Sequence, residues 1–214
     1  ATDDATVSES ETLAGFNKAV IYNVEGTVPE VVAALEGAPS AQAGIDEAVD
    51  VSATGTADVA QATTVDSATN SGTTEIATLQ DTATAIAGSS DAVLGLVTGT
   101  VTATDAATVS EAETLAGYAK DVVYNVEDTA SALLDASAAA ISEATNVAVT
   151  SDAVGTLTVS EYDTLLGITK PNQNDGWSYS ITDTVENLAG ADAAVREGAV
   201  DLSATGTADV ALAT

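Results

Sequence analysis

The chain has no cysteine, no methionine and no histidine. Without cysteine there is no disulfide, no thiolate nucleophile and no Cys-type metal site. Without histidine there is no Ser-His-Asp triad, no Cys–His pair and no imidazole metal ligand. Basic residues are almost as scarce. Lys18, Lys120, Lys170 and Arg196 stand against 33 acidic residues in 214, a formal net charge of −29. Nucleic acid and anionic membrane surfaces repel such a chain. Aromatic residues number one Trp, one Phe and five Tyr. No apolar run reaches the roughly eighteen residues that a membrane-spanning helix needs. No secretory leader is recognisable and the first residue is Ala, so a processed product or a piece of a longer chain is expected.

What the chain does contain is small and apolar. Hydrophobic residues make up 45%, mostly Ala, Val and Leu, and the mean hydropathy is +0.20. That is too apolar for a disordered acidic tail. Small side chains bury little area each, so a core built from them must be long rather than thick. The acidity suits salty surroundings, where like charges are screened beyond about 8–10 Å, or the binding of cations.

The chain also repeats itself. "TVSESETLAG" around Val7 returns as "TVSEAETLAG" around Val109 and "TVSEYDTLLG" around Val159, with looser copies "DVAQATTVDSA" at Val59 and "DVALAT" at Val210. The central valines are spaced by 52, 50, 50 and 51 residues, a period that marks a repeat architecture. "VDVSATGTADVAQAT" (49–63) returns as "VDLSATGTADVALAT" (200–214). "VIYNVEGT" (20–27) returns as "VVYNVEDT" (122–129), more distantly as "WSYSITDT" (177–184) and faintly as "EIATLQDT" (75–82). The period divides the chain into repeats 1–48, 49–98, 99–146 and 147–199, with a partial fifth at 200–214.

Each repeat reads as four parts. The first is a strand, as in residues 49–53 and 200–204, where apolar and polar residues alternate. The second is a short helix with its own start and stop. Thr6, Thr108 and Thr158 stand at the N-cap with Glu9, Glu111 and Glu161 three residues on, which is a capping box, and Asp58 with Gln61 is the same device. In the fourth copy Val159, Tyr162, Leu165 and Leu166 form the apolar stripe. Gly15, Gly117 and Gly167 are expected to stop the helix in a left-handed conformation. The third part is a second strand, with Tyr22 and Val24, Ala77 and Leu79, Tyr124 and Val126, and Tyr179 and Ile181 facing inward. Asn23, Thr78, Asn125 and Ser180 face outward, so this strand has one wet face. The fourth part is a second helix, capped by Asp81, Asp128 and Asp183, with stripes such as Ala83, Ile86 and Ala87, or Ala130, Leu133 and Leu134. In the first copy Gly26 replaces the Asp, and Thr27 with Glu30 supplies the box, Pro29 being tolerated in the first turn.

None of these parts can bury its apolar face alone, whereas stacked neighbours can. The expected fold is therefore α/β: an elongated repeat solenoid of strand-helix-strand-helix units, with short capped helices packed on a parallel sheet. Neighbouring strands lie about 4.8 Å apart and packed helices about 8–10 Å apart, so one-sided helices would crowd and curve the array. The right-handed crossover rule and the polar outward residues still favour one-sided helices. Residue 1 corresponds to Ala103 and the chain stops within a fifth capped helix. Either the array is an excerpt or its ends are completed by neighbouring subunits.

The phrases "DTATAI" (81–86), "DTASAL" (128–133), "DTVENL" (183–188), "ADVAQA" (57–62) and "ATVSEA" (107–112) resemble the Ala/Thr/Val/Asp-rich tandem repeats of giant bacterial cell-surface and secreted proteins. The resemblance covers the whole chain. It implies a surface layer, an adhesin stalk or an extracellular filament, and it supplies no catalytic residues.

Reaction chemistry has little to work with. No phosphate-binding G-x-x-x-x-G-K-[ST] loop surrounds any lysine. Carboxylate pairs such as Asp3 and Asp4 are the sole candidates for acid–base work, so no enzyme is expected. Asp81, Asp128 and Asp183 fall in one column of the repeat, and Asp50 and Asp201 in another. Oxygen-rich columns suit calcium. No calcium-loop motif accompanies them, and the first column reads more simply as helix caps. "KPNQNDGWSYS" (170–180) inserts a longer loop before Trp177, which covers a joint or, alternatively, contacts a ligand. No cofactor is expected. The sequence thus points to a structural segment of an extracellular surface protein or filament that associates with copies of itself end to end or laterally. The alternative is an acidic adhesin stalk binding cations or glycans.

Overall fold

The structure, a computed structural model, describes residues 4–150, 153–169 and 177–206. The chain opens with helix α1 (Val7–Ala14), strand β1 (Val24–Thr27) and two helices, α2 (Val28–Leu35) and α3 (Pro39–Asp46). Next come β2 (Val51–Ala57), α4 (Val59–Asp66), β3 (Thr74–Asp81), α5 (Ala83–Ala87) and α6 (Asp91–Gly95). They are followed by β4 (Val101–Ala107), α7 (Val109–Leu115), β5 (Val122–Asp128), α8 (Ala130–Asp135) and α9 (Ala138–Glu143). The last elements are β6 (Val147–Val149), β7 (Ala153–Leu157), α10 (Val159–Ile168), β8 (Ser178–Thr184), α11 (Val185–Gly190), α12 (Ala193–Gly198) and β9 (Asp201–Thr205).

The fold is α/β with parallel strands. One sheet has six strands in the order β1-β2-β3-β4-β5-β6, and a second has three in the order β7-β8-β9. Within each sheet every strand thus lies beside its neighbour in sequence. Val24 pairs with Val51, Val51 with Thr74, Leu79 with Val101 and Val126 with Val147. The chain forms two compact units, one of Ala1–Asp105 with Thr114–Tyr124, the other of Ala106–Glu113 with Asn125–Thr214. The larger sheet ends with β6, which pairs with β5, and the smaller one begins with β7, which pairs with β8.

The helix count differs from the expected strand-helix-strand-helix unit. Strands of the "YNVED" kind are followed by two helices, α2 with α3, α5 with α6, α8 with α9 and α11 with α12. The second helix of each pair starts at its own boundary signal. Pro39 stands in the first turn of α3, Ser90 accepts from the Val93 amide at the start of α6, and Ser137 accepts from the Ala140 amide at the start of α9. Three of these helices are only five or six residues long. Pieces that short carry no readable period, and their caps alone reveal them.

In the first unit both kinds of helix cover one sheet face. A Cβ placed on Gly26 would lie 2.7 Å from Val7 Cγ2 in α1 and 3.4 Å from Val31 Cγ2 in α2. The opposite face is wet: along β5, Val122, Tyr124 and Val126 are buried while Val123, Asn125 and Glu127 are exposed. In β3 the inward residues are Ile76 and Leu79, and Ala77 is only half-buried, against the expected pairing of Ala77 with Leu79. Ile76 lies opposite Ala53 and Leu79 opposite Ala57, and burying Ile removes more apolar area from water than burying Ala. The core consists of Val28, Val31, Ile45, Ala62, Val65, Ile76, Ile86 and Leu94, all at 0% exposure, and similar residues. Each buried Val, Ile or Leu contributes about 1.5–3 kcal/mol.

The "ATGT" and "AVGT" strands carry a bulge. Gly55, Gly155 and Gly206 have φ of 94°, 90° and 91°. The register slips between Ala53 and Thr56 opposite β3, and between Ala153 and Gly155 opposite β8. Glycine takes this backbone without the clash of a Cβ against the following carbonyl. Gly55→Ala is expected to cost about 1–2 kcal/mol by that clash alone, since a Cβ there meets nothing within 4 Å. Gly95→Ala in α6 also meets open space and is expected to stabilise by up to about 1 kcal/mol. Urea midpoints of the two variants moving in the same direction would refute this reading.

Candidate functional site

The repeated chemistry lies at the helix starts. Thr6 Oγ1 accepts from the Glu9 amide at 3.3 Å, while Glu9 Oε2 accepts from the Thr6 amide at 2.9 Å. Thr108 with Glu111 and Thr158 with Glu161 make the same reciprocal pair, and Asp58 with Gln61 closes it at 2.7 and 3.1 Å. In the first repeat the Thr27 amide and hydroxyl both donate to Glu30 Oε2 at 2.8 Å. The Thr6 amide, and then its hydroxyl, hold the Glu9 carboxyl below its ordinary pKa, and Thr27 does the same to Glu30.

The aspartates do something other than the expected capping. The N-caps of α5, α8 and α11 are Thr82, Thr129 and Thr184, one residue later, accepting from Ala85, Ala132 and Asn187 at 3.2, 3.3 and 3.2 Å. This frees the preceding carboxylates to reach sideways. Asp81 Oδ2 accepts from the Val59 amide at 3.0 Å, Asp128 Oδ2 from Val109 at 2.9 Å and Asp183 Oδ2 from Val159 at 3.0 Å. Each of those amides is the first of the helix that follows the preceding strand. The other oxygen of each carboxylate accepts from the next threonine amide, at 2.8, 2.7 and 2.7 Å. Asp105, which sequence reasoning missed, does the same for the Ala83 amide of α5 at 2.6 Å. A carboxylate of one strand thus closes the start of the helix that follows the strand before it, where unpaired amides and the helix dipole favour negative charge. Asp183 also accepts from Asn187 Nδ2 at 2.8 Å. That bond, with the Thr184 and Val159 amides, lowers its pKa.

These bonds occupy both oxygens of Asp81, Asp128 and Asp183. Among the described residues, no group of three His, Cys, Asp or Glu is placed to hold a metal. In the second column, Asp50 Oδ1 accepts from the Thr73 amide and hydroxyl, both at 2.8 Å, which lowers its pKa. Asp201 lies in β9.

The strand tyrosines bind helix carbonyls. The Tyr22 hydroxyl donates to Gly44 O in α3 and the Tyr179 hydroxyl to Val195 O in α12, each at 3.0 Å, and Tyr124 is buried at the same strand position. Burial, then the contact with Tyr162, raises the Tyr179 pKa. Tyr162 lies between Tyr179, 4.5 Å away by ring centroid, and Trp177, edge-on at 6.3 Å. Trp177 is buried, while Lys170 and the rest of its loop (170–176) lie outside the described residues. Tyr118 and Lys120 form a contact that the repeat pattern did not disclose. The Tyr118 hydroxyl lies 3.2, 2.8 and 3.0 Å from the carbonyls of Ile86, Ala87 and Ser89, and Lys120 Nζ donates to Val97 O at 2.7 Å.

The glycine stops depart from expectation. Gly15 caps α1 in the right-handed region at φ −73°, and among the described residues positive φ falls on Gly55, Gly155 and Gly206, not on Gly15, Gly117 or Gly167. Gly167 lies inside α10, which is two residues longer than α1, and beyond it the Thr169 amide and hydroxyl both donate to Leu165 O. Glycine permits the left-handed turn without requiring it.

Asp128→Ala removes an acceptor from the Val109 and Thr129 amides and is expected to cost about 1–3 kcal/mol in urea unfolding. The lowered Asp183 pKa gives a signed pH test. Its contribution is present above the ordinary aspartate range and lost as pH falls through the depressed value. Asp183→Asn should therefore be less stable than the parent at neutral pH, with the gap narrowing below about pH 4. A gap independent of pH would show that the charge is not what holds the joint. Calcium and chelator are both expected to leave the melting temperature unchanged, because among the described residues no three carboxylates converge on a point where an ion could sit.

Among the described residues no helix is long and apolar enough to cross a membrane. No family model, no curated protein and no solved structure matches this chain.

Proposed function

We propose that the chain is a structural repeat segment of an extracellular bacterial surface protein or filament. It is an α/β solenoid whose units of about fifty residues work by stacking. The observation that carries this reading is the sideways carboxylate. The first amide of α4, α5, α7 and α10 is satisfied by an aspartate of the following strand, so a rung is chemically complete only when the next rung is in place. The strictly sequential strand order supports the same reading, because it lets further repeats be added without rearranging earlier ones.

The surface fits a salty exterior. With 33 acidic and four basic residues, self-repulsion opposes compaction, and dissolved ions relieve it within a Debye length. The work of such a segment is mechanical. Main-chain hydrogen bonds join rung to rung, the thin apolar layer excludes water, and no reaction is required of any side chain.

Electron microscopy of the purified chain tests this. Filaments or sheets are expected in salt, and dispersed monomers that capture a glycan would favour the adhesin stalk. Raising sodium chloride from about 0.05 to 0.5 M is expected to raise the melting temperature by screening the acidic surface. A fall would remove the electrostatic part of the reading.

A further inference from the structure

We propose that Tyr162 and Tyr179 form an oxidative cross-linking site, at which a one-electron oxidant of the peroxide class joins their rings into a dityrosine that staples α10 to β8. The site lies wholly within the second unit and does not depend on how the chain assembles.

Aromatic rings are scarce in this chain, yet three of the seven meet here. Tyr162 belongs to α10 and Tyr179 to β8. Their ring centroids are 4.5 Å apart and their planes are tilted by 36°, at the short end of the range for aromatic pairs. Their phenol groups also share a hydrogen bond. The two oxygens are therefore together, and so are the ring carbons ortho to them. Trp177 stands perpendicular to Tyr162 at 6.3 Å, an ordinary edge-on packing contact.

Comparison between repeats shows that the pair is an addition to the common plan. Four residues after the cap of each first helix stand Ser10, Ala62, Ala112 and Tyr162. The first three are small and completely buried. The strand tyrosine needs no aromatic neighbour to be held: Tyr22 and Tyr179 each donate to a carbonyl of the second helix at 3.0 Å, Gly44 O and Val195 O. Tyr162 sets a second phenol against the first in one repeat only. By sequence, the same repeat carries the longer loop before Trp177.

The reaction uses what the two side chains hold. Each phenol gives up one electron and its hydroxyl proton and becomes a phenoxyl radical, whose unpaired electron resides partly on the ortho carbons. The two radicals couple by a bond between one ortho carbon of each ring. Each coupled carbon then passes its hydrogen as a proton to the phenol oxygen, which restores both aromatic rings. The protein has lost two hydrogen atoms in all, and one hydrogen peroxide takes them up and leaves as two waters. Holding the rings side by side replaces a chance encounter, the advantage that positioned groups have over free ones. The link closes residues 163–178 into a loop and removes conformations from the unfolded chain, as a disulfide would. In a chain with no cysteine it is a brace that thiol reductants do not open.

Light-driven oxidation of the full chain with a ruthenium tris-bipyridyl sensitiser and persulfate tests this, each persulfate taking two electrons and leaving as two sulfates. Cleavage before aspartate puts the five tyrosines on five separate peptides, so mass spectrometry reads the linked pair directly. The expected product, recovered from the monomer band of a denaturing gel, is peptide 152–162 joined to peptide 175–182 and two hydrogens lighter than their sum. It should exceed every other tyrosine pair about tenfold or more, including Tyr118 with Tyr124, which are much nearer in sequence. Its yield should not fall when the protein is diluted. The biphenol fluorescence of oxidised monomers should drop by a similar factor in Tyr162→Phe, which keeps the ring and removes the phenol. Oxidation in denaturing urea should erase the preference. A 162–179 pair no more abundant than the others, a pair found only between chains, undiminished fluorescence in Tyr162→Phe, or a preference that survives urea would each overturn the site.

Discussion

The carboxylate that reaches from one strand to the helix start before it is the interaction on which the rest depends. A helix leaves its first amides unpaired, and helices of five to eight residues, common here, have few internal bonds to offset that loss. Asp81, Asp105, Asp128 and Asp183 supply the missing acceptor from outside the helix. Where the aspartate is replaced by Gly26, the space at Val7 is filled by the valine methyl, and a Cβ on Gly26 would collide with it. The same position thus holds either a bonded carboxylate or tight apolar packing.

This polar scaffold suits a core with little bulk. Alanine and valine bury modest area, so each joint gains less from water exclusion than a leucine- or phenylalanine-rich core would. Directional bonds from Tyr22, Tyr118 and Tyr179 to helix carbonyls add to it. Each tyrosine combines an apolar ring with a hydroxyl that satisfies a helix C-terminus. Acidic residues therefore serve two purposes: a few are stitched into the joints, and the rest keep the surface highly charged.

Much of this could be read in the sequence. The Thr–x–x–Glu boxes, the inward Val24 of β1, the inward Tyr124 and Val126 of β5, and the wet outer face follow from spacing alone. The second helices were hidden because "DAVLG" and "AAAISE" are shorter than two helical turns. The aspartates were misread by one residue, since "DT" offers two cap-forming residues and only coordinates show that Thr takes the cap. Ala77 was misplaced because the bulge at Gly55 shifts the partner register, and alternation counted along one strand cannot see its neighbour. Gly55 and Gly155 carried the one readable signal for that bulge, an isolated glycine inside an alternating strand. Tyr118 needed the relation between repeats, since its role appears only when the preceding helix pair is in place.

Each of the four lateral carboxylate bonds joins groups only 19, 22, 22 or 24 residues apart in the chain. Each of these joints can therefore close soon after its residues leave the ribosome, with no wait for a distant segment. Such a topology favours ordered growth from the N-terminal side during synthesis. It also means that the closing of each joint does not depend on how much chain follows it.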